Sequence, residues 1–138
     1  MKLEPVNVFV YGTLKPGESN YQRYCAGKVI NVKRAIAFGQ LYALPFGYPA
    51  MIPGSDRIAG FVLSFSHEDI LTYLDFLEGY IPGQPGEENE YYRQQIITYN
   101  LDLTFLTLAW AYFMTSEQVD TFKGQLLPDG WWSSCPSS

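Results

Sequence analysis

From Val6 to Tyr11 the chain alternates Val6, Val8 and Val10 with Asn7, Phe9 and Tyr11, and both sets are mostly apolar. A strand buried on two faces carries that pattern, so this run predicts a central strand. Val29 to Leu44 is rich in β-favouring residues and interrupted at Gly39, which predicts one bent strand or two with a bulge at the glycine. Pro45 to Gly54, "PFGYPAMIPG", reads as turn-rich with space for a short central strand, and Arg57 to Phe65 as a further strand. The period then changes. Ser66, His67, Glu68 and Asp69 supply an N-cap and early negative charge, Ile70, Leu71, Leu74 and Leu77 recur at helical spacing, and Gly79 stops the run. A helix over Ser66 to Glu78 is predicted. After a loop, "IPGQPGEENE", Tyr91 to Tyr99 and Phe105 to Met114 predict a hairpin turning around Asn100 and Asp102. Ser116 to Gly124 reads as a short capped helix and 125–138 as an irregular tail.

No internal repeat or linker divides this pattern, so a single domain over 1–138 is expected. Many short strands with two helices give an α+β class, with a sheet that curls toward a barrel. A chain of 138 residues buries a substantial core without metal or disulfide support. Its formal charge of -5, from nine Lys and Arg against fourteen Asp and Glu, argues against nucleic acid or a membrane surface as partner. Only Cys25, Cys135 and His67 offer soft ligands, with no CxxC spacing, so neither a metal site, a disulfide nor a Cys-His pair is expected. The first ten residues lack the long apolar stretch of a secretory signal and no run reaches membrane-spanning length, which leads to the expectation of a cytoplasmic protein.

Candidate chemistry lies at two places. The segment Gly12 to Ser19, "GTLKPGES", nearly spells a phosphate-cradling loop, but Glu18 stands where the lysine is needed and would repel phosphate. Nucleotide binding is therefore rejected, while the backbone amides of Gly12, Thr13 and Leu14 remain candidates for holding a small anionic or carbonyl group. The second place is Glu78. It follows Leu74 by four residues and Leu71 by seven, so at helical spacing it projects onto the inward stripe. Burial, the negative end of the helix dipole and Asp75 three residues back all push such a carboxyl toward neutral pH, where it exchanges protons readily. The plain alternative is a last-turn glutamate turned to water. His67 also projects inward, but eleven residues of helix put it ~16 Å from Glu78, too far to be its partner. Asp75 reads as a solvated or hydrogen-bonded residue, Arg93 as a surface partner of Glu90, and Tyr112 as a packed side chain whose hydroxyl is free to reach a pocket.

Five segments, "YGTL" at Tyr11 to Leu14, "YPAM" at Tyr48 to Met51, "LDFLEGY" at Leu74 to Tyr80, "YYR" at Tyr91 to Arg93 and "AWAY" at Ala109 to Tyr112, together resemble the γ-glutamylcyclotransferase-like family, its AIG2-like group included. The resemblance extends to about Gly124. It implies a small mixed β-barrel with flanking helices and a cavity at one end. It also implies a reaction without cofactor or metal on a small γ-glutamyl substrate, in which the α-amine attacks its own γ-carbonyl and leaves 5-oxoproline. The family's catalytic glutamate falls on Glu78 and its binding loop on Tyr11, Gly12, Thr13 and Leu14; Tyr112, from its own placement, is added as a substrate-binding candidate. The opening "YGTLKPG" is more similar to members acting on γ-glutamylamines than to those acting on glutathione. A rival reading is a non-catalytic pocket protein that binds an amino-acid-like ligand or another protein.

Overall fold

In a computed structural model, residues 5–66, 69–79 and 90–133 are described. The expectations for His67, for the loop segment 81–89 and for 134–138 lie outside them. Strand β1 (Val6–Val10) pairs antiparallel with β3 (Pro49–Phe65) and in parallel with β5 (Phe105–Phe113). It is central, as the two apolar faces required. Val8 and Val10 join one core with Leu63, Ile70, Leu74 and Met114, whereas Phe9 and Tyr11 join a second with Leu41, Met51, Ile58 and Phe113.

β2 (Val29–Ala43) and β3 form a long antiparallel hairpin whose register slips between Gly39 and Gln40. The bulge stands where the glycine predicted it. β3 itself corrects an expectation, because Pro45 to Tyr48 do form a turn but the rest of the turn-rich segment, from Pro49 on, and the following strand are one continuous strand of 17 residues. Gly39 faces Asp56 and Gln40 faces Ile52, so Pro53, Gly54 and Ser55 loop out of the ladder. Pro53 thus owes no ladder hydrogen bond, which is how a proline survives inside a strand. β4 (Tyr92–Tyr99) pairs with β5 in the predicted hairpin and meets β2 at Ile36 and Tyr99. The strand order β3-β1-β5-β4-β2, with β2 also paired to β3, makes a ring-like mixed sheet. The fold is α+β.

Among the described residues three helices flank the sheet. α1 (Ser19–Tyr24) had no sequence signal, α2 (Asp69–Glu78) lies within the helix expected over Ser66 to Glu78, and α3 (Ser116–Thr121) is closed by a capping box between Thr115 and Gln118. Among the described residues no helix is long and apolar enough to cross a membrane.

The tail departs from the irregular segment expected. Gln125 and Leu126 form β6 against Ala43 and Tyr42, the Ala59 N–H donates to the Gly130 carbonyl at 2.8 Å, and Trp132 is buried in the second core. Lys15 is buried beneath this segment, its Nζ donating to the Trp132 carbonyl and lying 3.3 Å from the Trp131 ring centroid. Because a buried tryptophan contributes about 3–5 kcal/mol when truncated, Trp132→Ala is expected to lower unfolding free energy by that much in urea melts. A loss under ~1 kcal/mol would show the tail to be loosely draped.

Candidate active site

α2 ends at Glu78, and Gly79 follows with φ of 68°, a left-handed conformation that a side chain would strain. The Tyr91 N–H donates to the Glu78 carbonyl at 3.2 Å and the Glu90 N–H to the Gly79 carbonyl at 3.3 Å. These bonds satisfy carbonyls that the helix end leaves open and bring the approach to β4 alongside Glu78. One turn earlier, Asp75 is buried against the hairpin. Arg93 Nε lies 3.0 Å from its Oδ1 and Nη2 3.3 Å from its Oδ2, and the Tyr112 hydroxyl donates to Oδ1 at 2.6 Å. Two expectations are corrected here. Arg93 pairs with Asp75 rather than Glu90, because α2 turns Asp75 toward β4 and β5, and the Tyr112 hydroxyl is committed to that pair instead of being free.

Tyr11, Gly12, Thr13, Leu14, Glu78 and Tyr112 all line one cavity of about 170 Å³. The loop is fixed from several sides. Lys15 N–H donates to the Gly12 carbonyl at 3.0 Å, Asn20 N–H to the Thr13 carbonyl at 2.9 Å, and Asn20 Nδ2 to Thr13 Oγ1 at 2.9 Å. Gly12 allows the wall to close, since a Cβ there would stand 2.7 Å from Pro49 Cγ. Asn20, Tyr48, Glu90 and Tyr91 also line the cavity and were missed as site residues. The "YPAM" and "YYR" segments held two of them without disclosing a role. A roomier hollow of about 430 Å³ between residues 27–30 and the start of α2 gathers no comparable set of shifted groups.

The Glu78 carboxyl is pushed up from an ordinary 4.5 to about 8, first by burial and then by the negative charge of Glu90. The like charge is Glu90, across the cavity rim, and not Asp75, which Arg93 occupies. Burial also raises Tyr11, Tyr91 and Tyr112 well above the usual phenol range and Tyr48 to about 12. All four hydroxyls therefore stay protonated donors. Tyr11 donates to the Tyr112 carbonyl at 2.6 Å, Tyr91 to the Pro49 carbonyl at 2.6 Å and Tyr48 to Glu90 Oε1 at 2.9 Å.

The profile of the family described as gamma-glutamyl cyclotransferase, AIG2-like, matches residues 8–134. The chain belongs to that family. A Niallia circulans protein named gamma-L-glutamyl-butirosin B gamma-glutamyl cyclotransferase is 37% identical over 78 residues, covering 56% of this chain and 49% of that one. The match thus spans about half of that relative's length. Among solved structures, an AIG2-like protein from Mus musculus superposes with a TM-score of 0.68 at 20% identity over 94% of this chain and 89% of its own. YkqA from Bacillus subtilis gives 0.64 at 23% identity over 94% of this chain and 40% of its own. These structural likenesses show the shared fold.

In this gamma-glutamyl cyclotransferase family member, the raised Glu78 carboxyl carries a stability consequence. A group whose pKa is raised on folding contributes stability below its unfolded value and loses it as pH rises through the folded value. For Glu78 the contribution is full below 4.5 and gone above about 8. At about 1.4 kcal/mol per pH unit, the change is on the order of 3–5 kcal/mol. Glu78→Gln is expected to flatten the stability curve across that window and to be more stable than the wild type at pH 8. Denaturant melts from pH 4.5 to 8.5 measure both, and a parallel pair of curves would show that Glu78 ionises freely.

Proposed function

We propose that the chain cyclises the γ-glutamyl group of a small γ-glutamyl compound to 5-oxoproline and releases the attached amine, with Glu78 as general acid and base. The observation that carries this reading is that Glu78, its carboxyl raised to about 8, lines the same cavity as the Tyr11 to Leu14 turn. A carboxyl poised near neutral pH both accepts and returns a proton.

The steps balance without water, cofactor or metal. Ionised Glu78 takes a proton from the substrate α-ammonium, and the freed amine attacks the γ-carbon, forming the ring C–N bond and a tetrahedral oxyanion. The turn from Gly12 to Leu14 lines the cavity, and this reading assigns its backbone amides to that oxyanion, since such donors stabilise developing charge. Collapse of the oxyanion breaks the bond to the leaving nitrogen as Glu78 returns its proton there, and the regenerated carboxylate then takes the extra proton of the ring nitrogen and passes it to the released amine, leaving the neutral lactam and an ammonium product. Ring closure of a held glutamyl group is favoured because amine and carbonyl belong to one molecule. Tyr11 and Tyr112 form wall, their hydroxyls bound elsewhere.

The family assignment supports the reaction class, and the half-length match to the named cyclotransferase leaves its substrate a property of that protein. Release of 5-oxoproline from γ-glutamyl-amino acids, γ-glutamyl-ε-lysine and glutathione is the direct assay. Glu78→Gln keeps the shape and removes the proton shuttle, so kcat/KM for any compound turned over is expected to fall about 10²- to 10⁴-fold. Undiminished turnover in this variant would remove Glu78 from the mechanism, and absence of turnover across the panel would favour the pocket-protein reading.

A further inference from the structure

Resting on the cyclotransferase reading, we infer that Glu90, held at the cavity rim by Tyr48, selects the leaving group by charge and favours γ-glutamyl compounds whose departing amine carries a second, cationic group over those whose departing amine carries a carboxylate.

The cavity sets the geometry of the argument. At about 170 Å³ it is well below the roughly 300–1,000 Å³ of sites that enclose drug-sized ligands. It accommodates a glutamyl group and leaves whatever is attached to the γ-carbonyl at the mouth. Val10 and Leu14 are buried at its floor, whereas Glu90 is exposed and Tyr48 half-buried. A departing amine must pass the rim. There the Tyr48 hydroxyl holds Glu90 Oε1 at 2.9 Å, and the Glu90 N–H is tied to the Gly79 carbonyl. The carboxylate is thus fixed by both its side chain and its backbone.

The charge balance points the same way. No lysine, arginine or histidine is among the described residues that line the cavity. Two cations in the site segments are engaged elsewhere, Lys15 with Trp131 and Trp132 and Arg93 with Asp75 and Trp110. A leaving group bearing a carboxylate meets Glu90 with no compensating cation on these walls, whereas an ammonium meets a fixed acceptor. Glu78, deeper and held mostly protonated below about pH 8, leaves Glu90 as the fixed negative charge at the mouth.

The test uses three γ-glutamyl amides of near-equal size, made from 1,2-diaminoethane, propylamine and β-alanine, whose far ends are cationic, neutral and anionic. Affinities are measured by calorimetry in Glu78→Gln, which does not consume them, and in Glu78→Gln combined with Glu90→Gln. The amide oxygen introduced by Glu90→Gln still accepts the Tyr48 hydrogen bond, so the change is one of charge. The expected order of binding is cationic, neutral, anionic, with roughly tenfold between the extremes for a partly solvated charge contact. That ratio is expected to collapse toward one in the double variant and to shrink with added salt, neither of which a merely structural role for Glu90 would produce. Equal binding of the three amides, an order that survives removal of the Glu90 charge, or binding of none of them overturns the inference. Release of 5-oxoproline by the wild type is scored separately. Ordered binding without turnover would sink the cyclotransferase reading and keep the selectivity, and turnover without ordered binding would do the reverse.

Discussion

Helix α2 is fastened to the β4–β5 hairpin by Asp75, whose carboxylate receives the Arg93 guanidinium and the Tyr112 hydroxyl together, and that contact fixes where the helix ends. A buried charge loses hydration that only well-placed partners restore, and here an ion pair and two hydrogen bonds from two residues of separate strands restore it. The helix cannot roll or slide without breaking them. Glu78, three residues on, is consequently delivered to the cavity with no partner of opposite charge among the described residues. The same helix thus carries one carboxylate that is neutralised by its surroundings and one that is not, and the difference follows from environment alone.

Much of this was legible along the chain because it depends on periodicity. The doubly apolar β1, the bulge at Gly39, the β4–β5 hairpin and the inward projection of Glu78 each follow from spacing within one element. What escaped depends on meetings between elements. Nothing in the spacing of Asp75 and Arg93 says that they pair, and Glu90 beside Glu78 is a product of the return from α2 to β4. Pro53 and Gly54 are genuine turn signals, yet the turn they make is a three-residue excursion within one strand rather than a break between two. The tail was misread for a related reason, since Trp131 and Trp132 find their partners at Phe61 and Lys15, far back in the sequence.

The cavity walls are pre-set as much as its chemistry. Tyr11, Tyr91 and Tyr112 each spend their hydroxyl on a protein acceptor at 2.6 Å, so these rings present faces and edges while their polar ends brace neighbouring elements. A site lined this way has few rotamers to lose when a small ligand enters, which lowers the entropic cost of binding. The conformational freedom that would oppose recognition has already been removed by folding.

The contact between Lys15 and Trp132 joins residues 117 positions apart. As the chain is made from its N-terminus, the residues of the turn from Tyr11 to Leu14 emerge early, but the group that covers the flanking lysine is added far later. Closing so long a loop costs entropy that grows only with the logarithm of its length, so the finished fold bears it easily; the growing chain has no partner to close with. Until synthesis passes Trp132, Lys15 remains an open ammonium beside the cavity turn, and the covering of that lysine is therefore one of the late events in the birth of the molecule rather than one of the first.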